Sequence, residues 1–142
     1  MFSELSEDAA RALLARKHIG RLAYSLHDRV DIQPVSFAYD DGWIFGRTQI
    51  GKKLAMLAHR PWCAFEVDEV HGLFSWQSVV VQGSFHLLDP ESGSPEVYER
   101  ALRQLSKLVP GTFTEDDPTP DRTILFGIWV QEITGRSAHP GA

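Results

Sequence analysis

At 142 residues the chain is one ordinary domain, long enough to bury about 68–70% of its unfolded surface around a single core. Hydrophobic residues make up 43% and charged residues 23%, a globular composition whose apolar runs are too short to span a bilayer. A net charge of −5 argues against broad nucleic-acid binding, and the single cysteine, Cys63, excludes both an intrachain disulfide and a cysteine-based zinc cluster. The N-terminal Met1-Phe2-Ser3-Glu4-Leu5 lacks a basic segment followed by an apolar one, so the chain is expected to stay in the reducing cytoplasm, without a membrane or nucleic-acid partner.

In chain order, Ser6 is placed as the N-cap of a helix running to about Lys17, with Glu7 and Asp8 favourable in the first turn and Ala9, Ala10, Leu13 and Leu14 at helical spacing. Gly20 breaks it. A first strand is expected from Arg21 to Leu26, and a second from Asp31 to Tyr39 in which Pro34 marks an edge, a bulge or a ligand-facing point. Asp40-Asp41-Gly42 supplies the positive φ angles of a tight hairpin, so the third strand, from Trp43 to Thr48, runs antiparallel to the second. After a short helix that begins near Lys52 and stops at Arg60-Pro61, a fourth strand covers Trp62 to Val67. The loop from Asp68 to Leu73 leads to a long fifth strand from Phe74 to Leu88, where Gly83 signals a bulge. Ser94-Pro95 opens a second helix with Val97, Ala101, Leu105 and Leu108 on one stripe, ended by Pro110-Gly111. A surface loop from Thr112 to Arg122 precedes a last strand from Thr123 to Ile133, and the residues after Gly135 are expected to form a loose tail. The result is a mainly β domain of six antiparallel strands closing into a small barrel, with a few packed helices.

The stretch between the third strand and the Lys52 helix is the chemically informative one. Thr48, the Gly51 amide, Lys52 and Lys53 converge on a helix N-terminus, where unpaired amides, the positive end of the macrodipole and two full charges favour a phosphate. The alternative is a solvated helix start, and the residues alone leave both open. Gly46 to Lys53 also matches G-x-x-x-x-G-K, but Lys53 stands where a P-loop needs the Mg²⁺-binding hydroxyl, and the flanking strands read as antiparallel. No two of the six histidines have the helical spacing of a metal site, and no G-x-S-x-G is present. His71 precedes the Trp76 strand and reads as an exposed loop histidine within reach of a cleft. Cys63 reads as a small hydrophobe without reactivity.

The order of these motifs resembles the pyridoxamine 5′-phosphate oxidase-like family of FMN-binding split β-barrels, especially its small nitroimidazole-resistance-type members. The resemblance spans about residues 5 to 136. It rests on Gly20-Arg21-Leu22-Ala23, Pro34-Val35-Ser36-Phe37, Thr48 with Gly51-Lys52-Lys53, Phe65-Glu66-Val67-Asp68, Trp76-Gln77-Ser78-Val79 with Gly83, and Ile133-Thr134-Gly135-Arg136. It implies a homodimer with FMN in clefts between the subunits. Thr48, Lys52 and Lys53 match the phosphate-binding positions, while Val35 and Ser36, and Trp76, Gln77 and Ser78, would lie against the isoalloxazine. Many small members carry His where this chain has Arg47, so Arg47 either adds a third cation to the cradle or reaches the ring or substrate. The implied activity is that of a flavin-dependent oxidoreductase acting on a small electron-poor substrate with NAD(P)H as donor. The same barrel binding deazaflavin F420 or haem, and a non-enzymatic flavin-binding module, are the alternatives.

Overall fold

The computed structural model describes residues 1–49, 57, 59–91 and 93–140. Gly51, Lys52, Lys53 and most of the short helix expected around them lie outside the described residues. Eight strands are described instead of the six expected, with two helices of ten and fourteen residues. In chain order they are β1 (Phe2–Leu5), α1 (Glu7–Arg16), β2 (Ile19–Leu26), β3 (Arg29–Ser36), β4 (Ala38–Asp40), β5 (Trp43–Thr48), β6 (Trp62–Gly72), β7 (Ser75–Leu88), α2 (Pro95–Leu108) and β8 (Ile124–Ala138). The sheet order is β3-β2-β6-β7-β8-β5-β4, every described pairing is antiparallel, and β1 pairs with the end of β8.

Two differences account for the extra strands. β1 is added at the N-terminus, and the expected second strand divides at Phe37, whose amide donates to the His18 carbonyl at 2.9 Å as the last rung of the β2–β3 ladder. Phe37 is fully buried against Phe65 (edge-on, centroids 4.9 Å apart), so the burial of one aromatic ring turns the chain from β3 into β4. The expected loop from Asp68 to Leu73 is largely the second half of β6, paired as far as Gly72. Residues 136–138, expected to be loose, end β8 with Ser137 and Ala138 buried between β1 and β7.

The core has two parts. Leu22, Phe65, Val67, Val79, Val81 and Ile128 point into the barrel, and α1 closes it by burying Ala10, Leu13 and Leu14. Burial of each of those leucines is worth about 1.5–3 kcal/mol. Ser6 caps α1 by accepting from the Ala9 amide at 3.1 Å. On the outside, α2 lays Ala101 and Leu105 against Ala38, Phe45 and Leu125. Pro95 sits in the first turn of α2, as expected, although the Ser94 side chain makes no capping bond.

Two glycines are needed where they stand. Gly42 takes φ +90 in the β4–β5 hairpin, next to Asp41 at φ 41. At Gly83 a Cβ would lie 2.4 Å from the Trp129 carbonyl oxygen, at the place where the β7–β8 register shifts. That bulge lets two long strands coil into a barrel wall.

Candidate functional site

The expected site residues fall into three groups. Val35 and Ser36 end β3, which is a sheet edge, one of the three settings expected for Pro34; Val35 packs against the core and Ser36 is exposed. Arg47 and Thr48 end β5. Trp76, Gln77 and Ser78 open β7.

Cross-strand register decides which of these share a surface. Pro34 pairs with Arg21, Arg21 with Glu66 and Glu66 with Val80. Two residues on, towards the same end of the strands, Ser36 pairs with Ile19 and Asp68 with Ser78. Directly paired residues face the same way, so Ser36, Asp68, Ser78 and Trp76 lie on the outer face of the sheet. Thr48 belongs to another region. It pairs with Ile124 at the start of β8, whereas Trp76 pairs with Ala138 at its end. Fourteen residue steps separate the two pairs, roughly 45 Å along the strand.

Each end has its own character. Near Trp76 a groove of about 450 Å³ is lined by Phe2, Ser3, Glu4, Trp76, Arg136 and Ser137. Phe2 and Trp76 form an aromatic wall (centroids 6.2 Å apart, planes at 40°), and Arg136, exposed and opposite Ser78, puts a cation at the rim. Gln77 turns the other way and accepts from Arg16 Nη2 at 3.4 Å. Phe2, Glu4 and Arg136 were not assigned to the site from the sequence. Thr134-Gly135-Arg136 was the available signal, but its place in the groove depends on β1 pairing across the whole length of the chain.

At the β5 end, Thr48 is half-buried and its hydroxyl makes only a 3.5 Å contact with the Gln49 carbonyl among the described residues. Its hydrogen is therefore available to an acceptor that approaches the strand end. Arg47 is directed into the protein. Nη1 donates to Asp117 Oδ1 at 3.0 Å and Nη2 to Asp117 Oδ2 at 2.7 Å, and only 7% of the Arg47 side chain and 2% of the Asp117 side chain remain exposed. The guanidinium holds the Asp117 carboxyl well below the usual carboxylate range, helped by the Phe113 and Thr119 amides.

Among the described residues, the other clustered ionisable groups are ion pairs and a triad. On the outer face, Arg21 Nη1 lies 3.8 Å from Glu66 Oε1 and 3.7 Å from Asp68 Oδ1, and burial followed by the hydrogen bond to Asp68 raises Glu66 to about 7. His71 stands on β6, its side chain exposed and 3.2 Å from Glu69 Oε1. Burial pushes the Cys63 thiol up to about 12, which leaves it protonated and inert at neutral pH. Among the described residues no helix is long and apolar enough to cross a membrane.

The family model described as pyridoxamine 5′-phosphate oxidase matches residues 6–137. An uncharacterized protein of Rhizobium meliloti (strain 1021) is 24% identical over 147 residues, covering 96% of this chain and 95% of that protein. The crystal structure of a FAD-binding protein from Mesorhizobium loti superposes with a TM-score of 0.79 at 26% identity, covering 98% of this chain and 99% of that one. A FAD-binding protein from Mycobacterium smegmatis superposes with a TM-score of 0.72 over 96% of this chain and 100% of its own, and at 23% identity that likeness concerns the fold alone.

Proposed function

Because the chain belongs to the pyridoxamine 5′-phosphate oxidase family, we propose that it is a flavin-dependent oxidoreductase, a homodimer that holds FMN between its subunits and reduces a small electron-poor substrate with electrons from NAD(P)H. The observation that carries this reading is the pair of half-sites at opposite ends of β8: an aromatic-walled groove by Trp76 and, at Thr48, a hydroxyl held among the described residues only by a long 3.5 Å bond to the Gln49 carbonyl. One ligand that uses both half-sites draws them from two copies of the chain.

The residues fit a flavin. Trp76 and Phe2 offer flat apolar area to a ring, Ser78 and Ser36 offer hydroxyls on the same face, and Arg136 can meet a carbonyl or a negative charge at the groove rim. Thr48 donates to a phosphate that Lys52, Lys53 and the Gly51 amide would surround. The Val35 side chain faces the core, so only its backbone on the β3 edge is open to the ring. A bound flavin supplies the electron-pair transfer, so the chain's tasks are to bind, orient and exclude water, and no protein acid or base is compulsory.

A second copy has a face to occupy. The outer surface of β2, β3, β6 and β7 exposes Ile19 (60%), Val30 (77%), Ile32 (67%) and Trp62 (69%) beside Ala23 and Val80. Exposed apolar side chains around the Arg21–Glu66–Asp68 cluster, on the face that also carries Trp76, suit association between identical subunits.

One specific observation favours a second reading, FAD in place of FMN: the Mesorhizobium loti neighbour, at 26% identity, is described as FAD-binding. Both cofactors present a phosphate to the Thr48 end. Mass spectrometry of whatever copurifies separates them, and NAD(P)H turnover by the loaded protein separates an enzyme from a flavin carrier. Copurified haem or F420, or no flavin uptake by the purified chain, would overturn the proposal.

A further inference from the structure

Arg47 is a full charge that is 8% exposed, on a strand whose four central residues are all buried. Such a charge is tolerated only when its donors are satisfied. Beyond Asp117, its Nε donates to the Arg122 carbonyl at 2.9 Å, and Nη2 reaches the carbonyls of Arg122 at 2.7 Å and Thr119 at 3.3 Å. The Phe113 ring lies 4.5 Å from the guanidinium carbon. Every one of these partners comes from the segment between α2 and β8.

That segment contains no strand or helix of its own and depends on the same two residues. Asp117 accepts from the Phe113 amide at 2.8 Å and the Thr119 amide at 2.9 Å, and Phe113 is held at φ 61, a backbone conformation uncommon for an aromatic residue. A second tie follows immediately: Gln49 Nε2 donates to Asp121 Oδ2 at 3.0 Å. The two ties flank Thr48 in sequence. The loop is thus fastened to the end of β5 on both sides of Thr48, whose hydroxyl is held among the described residues only by a long 3.5 Å bond.

We propose that Arg47 is a positioning residue: through Asp117 it straps the loop of residues 111–122 across the exit of β5, and the strap fixes Thr48 and Gln49 so that the strand end is shaped for a phosphate before the phosphate arrives. This rests on the flavin reading above and gives Arg47 a task other than touching the cofactor. It also gives the loop one, since preorganisation of a strand end spares a ligand the cost of ordering it.

The test compares wild type with Asp117→Asn and Arg47→Met in two measurements. Equilibrium titration with FMN and with riboflavin reads the phosphate preference, and hydrogen exchange of the ligand-free chain reads residues 43–49 and 111–122. Either substitution should raise exchange in both segments, lower FMN affinity about tenfold, and leave riboflavin affinity within about twofold. A general loss of stability would weaken both ligands alike. The double variant should be no worse than either single one, because the two residues act as a unit. If Arg47→Met weakens FMN binding while folded Asp117→Asn does not, Arg47 is a direct ligand and the inference fails. Unchanged exchange in both segments of Asp117→Asn overturns it as well. Wild type that binds riboflavin as tightly as FMN removes the phosphate reading itself, whereas wild type that discriminates and Asp117→Asn that discriminates equally removes only the strap.

Discussion

Neutralising Glu66 should stabilise the protein in alkaline buffer and do nothing in acid. Glu66 and Asp68 share one guanidinium, that of Arg21 at 3.7–3.8 Å, while Val80 and Ser78 on the neighbouring β7 add no charge. Burial, then the hydrogen bond and charge of Asp68, raise Glu66 from 4.5 to about 7 against the opposing pull of Arg21. The folded state therefore binds a proton that the unfolded chain has already released. Its contribution to stability is complete below the unfolded value of 4.5 and is lost as pH rises through about 7. At 1.36 kcal/mol per pH unit the ceiling is about 3 kcal/mol. Since 31% of the Glu66 side chain remains exposed, solvent screening reduces this to about 1–2 kcal/mol. Glu66→Gln mimics the protonated form and removes the titration, so near pH 8 it should melt roughly 3–8 °C above wild type, and near pH 4.5 at the same temperature. Thermal unfolding followed by circular dichroism, at one protein concentration across that range, reads the difference. A gap between variant and wild type that is flat with pH, or that widens towards acid, would refute the raised titration of Glu66.

Other outcomes follow from the same structure. Lys52→Ala with Lys53→Ala should weaken FMN binding by about 1.5–3 kcal/mol per lost charge-assisted bond, read by fluorescence titration of the folded double variant, and unchanged affinity would remove the lysines from the site. Leu13→Ala, in a fully buried position on the helix that closes the barrel, should cost about 2–5 kcal/mol in chemical denaturation. Gly83→Ala drives a methyl into the Trp129 carbonyl, a backbone atom that cannot turn aside, and should cost about 1–3 kcal/mol or more by the same assay. Light scattering should give a dimer, and a monomer carrying bound flavin would contradict a site drawn from two subunits.

What the sequence makes legible here is mostly local. The Ser6 cap, the Asp41-Gly42 reversal, Pro95 in the first turn of α2 and the Gly83 bulge depend on neighbours within a few residues, and each stands where it was expected. Elements made by distant pairing were harder to read. β1 is four residues long and almost wholly exposed, so it shows no alternation of its own and exists only because it borrows hydrogen bonds from β8. For the same reason β8 continues through the polar Arg136-Ser137, flanked on both sides by other strands, where a loose tail was expected. The candidate site divides in the same way. The sequence offers Trp76 and Thr48 as candidates through the family resemblance, but the groove beside Trp76 needs β1, and the partner of Arg47 lies 70 residues further on. Nothing in the spacing of Arg47 distinguishes a third cation for a phosphate from a buried tie to a loop.

The most direct measurement is isothermal titration of the wild-type apoprotein with FMN and with riboflavin, which share a ring and differ in the phosphate. If Thr48, the Gly51 amide and the two lysines recognise that phosphate, FMN should bind more tightly by several kcal/mol, because riboflavin leaves those donors without their anion. Equal affinity for the two ligands would mean that the end of β5 is no phosphate site, and the function built upon it would fall.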